Sequence, residues 1–371
     1  MAIVLTQNQV DLAHSKYETK WQEDWQQSNS LITPYMDAIP DAKGNYMRFP
    51  RIGGTKMKEY TSNSQDIVFS SLSFGNYGFK PRKFYNAIQL NDDDNLETYD
   101  LDMNMGIIHR QQEKAKNRFF DMVALGIMED ASAKGGVRVV TTSDSINGGG
   151  ILGPSYEGDN GETAHALDLS YDHFIAGCGN LIGIDYATTG TGVSELLAGT
   201  IVDRIMYGVR KLAENEAFDS QSKDELCFLM SPAVAQVLQS LEMSINKDYH
   251  IGDLGEIGRP VYNAALGCTV IQTNMLPFMD TVDKQGNEIE DCRMCALYLK
   301  SQVGFGRWKN PEFHIKEIND KVAIDYYLRV RGHIGAGRRR DDAVFVLPVK
   351  EFDLSNSDPE NGGSGGSGAQ G

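Results

Sequence analysis

Cysteine, tryptophan, basic residues and long apolar runs are all scarce in this chain. Five cysteines (Cys178, Cys227, Cys268, Cys292 and Cys295) among 371 residues are an odd, sparse set lying mostly inside apolar stretches. That excludes a disulfide framework and predicts free thiols in a reducing compartment. No stretch approaches the ~18 consecutive apolar residues that a membrane-spanning helix needs. The opening "MAIVLTQNQVDLAHSKYE" has no basic region and only a short apolar run, so no signal peptide and no membrane partner are expected. Lys and Arg number 35 against 51 Asp and Glu, a net charge of -16. A surface built mainly to neutralise nucleic-acid phosphates is excluded by that balance, because such affinity comes from counterions released by Lys and Arg. What remains is ordinary for a folded protein, 41% hydrophobic and 23% charged, and the length predicts about two domains or one domain with long extensions.

The order of segments is informative. Residues 1–38 are polar and Gln-rich, with Trp21, Trp25, Leu31 and Tyr35 scattered among them. They cannot build a core alone and are expected to lie as an arm on another surface. Within 39–95, "YMRFPRI", "DIVFSSLSFG" and "KFYNAIQL" read as a long twisted β-hairpin that needs a partner surface. Residues 96–134 form the clearest helix, with Leu101, Met105, Ile108, Ala115, Phe119, Met122 and Leu125 at helical spacing. Such a helix would run up to about 45 Å.

Residues 135–194 are Gly-, Ser- and Thr-rich and read as an irregular connector or insertion. From 195 to 302 helices alternate with buried strands: a helix opened by Ser194, the strand "DELCFLMSP", a short helix begun by Pro232, and further strands, together an α/β unit. Residues 303–350 read as an antiparallel meander of three strands, and 351–371 as a linker-like tail.

Candidate chemistry is thin. Cys292 and Cys295 have CxxC spacing, but no second pair exists and a strand follows, so two buried thiols are expected. "GGGILG" at 148–153 has the glycines of a phosphate cradle without its Lys-Ser/Thr or its strand-to-helix setting, and reads as a flexible loop. Asp92, Asp93 and Asp94 lack the spacing of a calcium loop and read as a helix-start cap or an intersubunit contact. Arg338, Arg339 and Arg340 beside Asp341 and Asp342 suggest ion pairs at a turn or a subunit boundary. Lys80, Arg82 and Lys83 stand just before six acids, a pattern that fits complementary charge between subunits as well as solvated loops. No catalytic residue, cofactor or metal site is assigned.

The succession of arm, hairpin, long helix, α/β unit and closing strands resembles the major capsid proteins of tailed bacteriophages, with the Hong Kong 97-type fold. The wording agrees over about 225–277. There "DELCFLMSPAVAQVLQS" precedes "IGDLGEIGRPVYNAALGCTVIQTNMLP", with Gly267, Val270, Thr273, Asn274, Leu276 and Pro277 matching a G-x-x-V-x-x-(S/T)-N-x-L-P strand. The resemblance implies an α+β fold with an N-arm (1–38), an extended loop (39–95), a spine-helix peripheral domain (96–134 with 303–350) and an axial domain (195–302). It implies self-assembly as pentamers and hexamers into an icosahedral virion shell, formed in the host cytoplasm and enclosing double-stranded DNA. Portal, separate scaffold and decoration proteins would be partners. No coiled-coil delta segment leads the chain and no Lys and Asn pair for cross-linking stands out, so a separate scaffold and non-covalent assembly are expected. Interface residues would be Trp21, Trp25, Phe74, Tyr77, Phe79, Lys80, Arg82, Lys83, Asp92, Asp93, Asp94, Arg338, Arg339 and Arg340. Two other readings stay open: an encapsulin-like nanocompartment shell, and a cytosolic α/β oligomeric enzyme.

Overall fold

A computed structural model describes residues 27–55, 57–59, 69–90, 105–144, 147, 149–158, 160–186, 198–215, 225–239, 260–263, 266–317 and 326–351. In chain order the strands are β1 (Asp37–Ile39), β2 (Met47–Ile52), β3 (Phe74–Phe79), β4 (Arg82–Leu90), β5 (Ile127–Glu129), β6 (Val137–Val139), β7 (Ser155–Glu157), β8 (Thr163–His165), β9 (Leu226–Met230), β10 (Val261–Asn263), β11 (Cys268–Gln272), β12 (Phe278–Val282), β13 (Glu288–Leu299), β14 (Val303–Glu317), β15 (Tyr326–Arg338) and β16 (Val344–Lys350). The helices are α1 (Met105–Leu125), α2 (Tyr171–Ile175), α3 (Ala198–Glu214) and α4 (Pro232–Gln239).

One sheet has the order β10-β11-β9-β13-β12, with β16 also on β13. β9 and β11 are buried at every residue because both of their faces are covered, and such strands read as unbroken apolar runs. Ser231 caps α4, its hydroxyl accepting from the Val234 N–H at 3.3 Å, and Pro232 fills the first helical position. α3 lies close to this sheet. Buried Arg204 donates to the carbonyls of Ile182 (3.0 Å) and Pro348 (2.7 Å), and Gly208 leaves room for Leu297, whose Cδ2 would stand 2.7 Å from any added methyl group. Cys292 and Cys295 sit buried on β13, and all five cysteines are free.

A second sheet, ordered β1-β14-β15-β4, carries α1. The hairpin β2–β3 starts a third sheet, β2-β3-β7-β8. Phe79 fills the place where β3 meets the second sheet. Its ring is fully buried, with centroids 5.6 Å from those of Phe49 and Trp308. β14 and β15 present glycines to it in register, Gly304 opposite Gly337 and Gly306 opposite Gly335. A methyl group at Gly337 would come within 2.6 Å of Phe79 Cβ, and one at Gly306 within 3.0 Å of its ring. The glycines of "VGFGRW" and "HIGAGR" therefore make a flat seat for one aromatic ring.

Several expectations change. α1 stops at Leu125, not 134, because Gly126 takes a left-handed turn (φ 77°) into β5, which pairs with β6. At 21 residues its length is about 31 Å. β4 does not belong to the hairpin; it pairs with β15 over nine residues. β16 does not complete a meander with β15 but runs antiparallel to β13. The glycine-rich run is no flexible loop: Gly150, Ile151 and Leu152 donate to the carbonyls of Ala336, Ala124 and Leu125 at 2.8–2.9 Å and bury the junction between α1 and β15. The connector also supplies β7 and β8 to the hairpin sheet.

Of the expected arm, residues 27–38 lie on their own subunit. Ile32 and Met36 enter the main apolar core, and β1 adds a parallel strand to β14. Of the expected stripe on α1, Met122 and Leu125 are buried in the core, where Phe120, Val123 and Ala124 join them, whereas Ala115 and Phe119 lie half-buried on its flank.

Candidate assembly surfaces

Strand parity decides what the hairpin offers to solvent. Side chains alternate faces along a strand, and Phe74 and Phe79 are five residues apart. Phe79 points inward; Phe74 is 74% exposed and stands directly opposite Ile52, itself 65% exposed. Met57, Phe69 and Leu72 add exposed apolar side chains in the same hairpin region. Exposed large apolar groups in one region of the chain mark an interaction surface more often than single scattered ones do.

Tyr77 shares the parity of Phe79 and is half-buried, its phenol pushed above its ordinary pKa by burial and by nearby Glu157. Phe79, expected at an interface, is interior to the subunit, so that reading is corrected. Lys80 lies 4.6 Å over the Tyr156 ring. Tyr156 in turn accepts, through its carbonyl, the Tyr46 hydroxyl at 2.7 Å.

The same alternation divides the basic pair on β4. Arg82 turns inward, donates to the Ile127 carbonyl at 2.9 Å and stacks 5.5 Å from the Phe119 ring centroid, and burial lowers its pKa. Lys83 and Tyr85 turn outward, Tyr85 with 79% exposure. β4 is the edge of its sheet among the described residues. Two open clefts of about 370 and 440 Å³ lie between β4 and α1 and share Ala115 and Phe119. Lys83, Tyr85 and Lys116 help line the first, Arg82, Arg118 and Met122 the second. The result is an aromatic floor with a mainly cationic rim beside an edge strand, suited to an apolar segment carrying acids.

Arg338 is fully buried, which removes it from any subunit boundary. Its Nε donates to Asp341 at 2.7 Å, and its Nη1 donates to the Ile151 carbonyl at 2.9 Å and to that of Gly153. It ties the end of β15 to the glycine-rich junction. Arg339 pairs with Asp37 and lies 4.5 Å over Phe49, and Arg340 holds Asp342 in a two-point pair. The expected ion pairs at a turn are therefore present. Trp21, Trp25, Asp92, Asp93 and Asp94 lie outside the described residues.

The sequence reading missed Ile52, Tyr85 and Asp121. Period-two alternation on β2 and β4 carried a signal for the first two. The acid inside "FFDMVAL" carried one for Asp121, a buried carboxylate whose pKa is raised by desolvation against the opposing effect of its hydrogen bonds.

No family model matches the chain, and no curated protein matches it in sequence. Solved structures do match over nearly its whole length. The capsid structure of the cyanophage P-SCSP1u superposes with a TM-score of 0.59 at 13% identity, covering 92% of this chain and 94% of that one. The mature capsid of bacteriophage PhiM1 gives 0.58 at 14%, covering 91% and 92%, and the capsid of Ralstonia phage GP4 gives 0.56 at 12%, covering 92% and 96%. The chain has the mixed helix-and-sheet fold of tailed-phage capsid proteins.

Proposed function

We propose that this chain is a shell subunit, the major capsid protein of a tailed double-stranded DNA phage, with a structural and not a catalytic role. The observation that carries the reading is the likeness to capsid chains over more than nine-tenths of both partners. A shared fold alone hosts many functions, so the surface matters as well. A hairpin region with exposed Ile52, Met57, Phe69, Leu72 and Phe74 makes sense for a subunit that buries them on copies of itself.

In this reading the sheet with α1 is the peripheral domain and the sheet around β9, β11 and β13 the axial domain. Subunits gather as pentamers and hexamers and close into an icosahedral virion shell in the host cytoplasm. Lys83, the hairpin residues and the β4–α1 clefts meet neighbouring copies, with Asp92 to Asp94 as acidic complement, and residues 1–26, with Trp21 and Trp25, reach outward as the arm. Portal, scaffold and decoration proteins complete the particle. A net charge of -16 suits a container that must enclose the duplex without gripping it.

Electron microscopy of the expressed chain, and of particles in its lysate, tests the reading. Closed shells or capsomers are the expected result. Small discrete oligomers under every condition, including co-expression with a scaffold, would refute it.

A further inference from the structure

Asp121 sits on α1 with no exposed surface, and the donors that reach its carboxylate come from residues 27–32. Oδ1 accepts from the Ser30 hydroxyl at 2.5 Å and the Ile32 N–H at 3.2 Å. Oδ2 accepts from the Leu31 N–H at 3.0 Å and from the Gln27 amide. One helical turn earlier, Asn117 donates to the Ser28 carbonyl at 2.6 Å. Burial raises its pKa, and the hydrogen bonds from Ser30, Leu31, Gln27 and Ile32 oppose that rise.

A helix that needed only core packing would carry an apolar residue here, since replacing buried charge by a well-packed hydrophobe is often neutral or stabilising. A carboxylate with two oxygens, each accepting from two donors, does something that an apolar side chain cannot. It fixes both the place and the rotation of the strand of chain it holds. The next residues inward are then locked by other means, Ile32 and Met36 by the core and Asp37–Ile39 by pairing with β14. In sequence, Gln27 is preceded by 26 residues that include Trp21 and Trp25.

We infer that Asp121 is a positioning residue, the anchor that fixes residues 27–32 on α1 in the one arrangement with which the subunit meets a second copy of this chain. The role in assembly rests on the shell reading; the anchor itself does not. Asp121→Asn keeps the size of the side chain but replaces one acceptor oxygen by an NH2 that confronts donors.

Hydrogen exchange on the dispersed full-length subunit is the primary test. Expected is exchange faster by about tenfold or more across 27–33, with protection kept in 226–230 and 292–299. Under assembling conditions the variant should give open or mis-sized particles where the parent gives shells. Unchanged exchange in 27–33 would overturn the anchor, and normal shells built from subunits in which 27–33 is released would overturn its role in assembly. Should Asp121→Asn fail to fold, Gln27→Ala combined with Ser30→Ala removes two of the four donors and is read in the same way. A parent chain that never assembles refutes the shell reading and the role in assembly, while the exchange result still decides the anchor.

Discussion

Phe79 and Phe74 stand five residues apart on one strand, and the fold predicts opposite consequences for removing them. The Phe79 ring is enclosed by Phe49, Trp308 and the paired glycines of β14 and β15. Phe79→Ala loses the transfer energy of a full aromatic side chain, about 1.5–3 kcal/mol. A cavity term is added, because a rigid two-stranded seat relaxes poorly, which brings the total to about 3–5 kcal/mol. Phe74 is 74% exposed, and Phe74→Ala should leave subunit stability within about 0.5 kcal/mol. Urea unfolding of the dispersed subunit reads both. With a slope near 3 kcal/mol/M, Phe79→Ala lowers the midpoint by about 1 M or more and Phe74→Ala leaves it in place. Assembly yield should show the reverse order of specificity: Phe74→Ala folds normally yet assembles poorly. A Phe79→Ala midpoint equal to the parent's, or a Phe74→Ala loss of similar size, would refute the assignment of inner and outer faces.

Two further outcomes follow from the same packing. Deleting residues 1–26 should leave the melting profile of the subunit intact while impairing shells. Deleting 1–38 should destabilise the subunit itself, because it strips Ile32 and Met36 from the core and leaves Asp121 without its donors; equal melting temperatures for the two truncations would contradict this. Thiol titration of the native chain should find Cys178 alone, since it is exposed and the other four are buried. Burial pushes Cys227, Cys268 and Cys295 up to about 12 and Cys292 to about 11. Folding thus retains protons that unfolded thiols release near pH ~8.5. The stabilisation is fully present below that pH and is lost as pH rises toward 11–12. A second fast-reacting thiol at pH 8, or alkaline stability unaffected by replacing the buried cysteines with alanine or valine, would count against it.

The α/β unit was legible because its signals are local. "LCFLM" and "CTVIQ" are apolar runs short enough for strands, Ser231-Pro232 punctuates the helix between them, and both strands are buried at every residue. Within the family wording the expected strand is present at Cys268–Gln272, and Val261–Asn263 pairs back on Cys268–Val270. The extent of α1 was misjudged because apolar periodicity continues past Gly126. The end of the helix is set by one left-handed residue wedged against Gly149 and Gly153, whose backbones a methyl group at Gly126 would strike. That contact spans more than twenty residues of sequence, and no local pattern announces it.

Sheet membership was the larger loss, for the same reason. β15 and β16 look like consecutive strands of one meander, yet Arg338 and Asp341 turn the chain between them, and β16 finds β13. Strand propensity says that both pair with something; the partner is chosen by tertiary burial. Alternation, in contrast, was present in the sequence and carries the correction of the candidate surface. Phe74 cannot share a face with Phe79 on an unbulged strand, nor Arg82 with Lys83. Once one face is fixed by the glycine seat, the outward set follows: Phe74 with Ile52 across the ladder, Lys83 with Tyr85 beside the cleft. Two of the residues expected at contacts between subunits, Phe79 and Arg338, brace the subunit instead. A large ring and a buried charge hold together the places where sheets and a glycine-rich junction meet, and that task arises inside a subunit as well as between two.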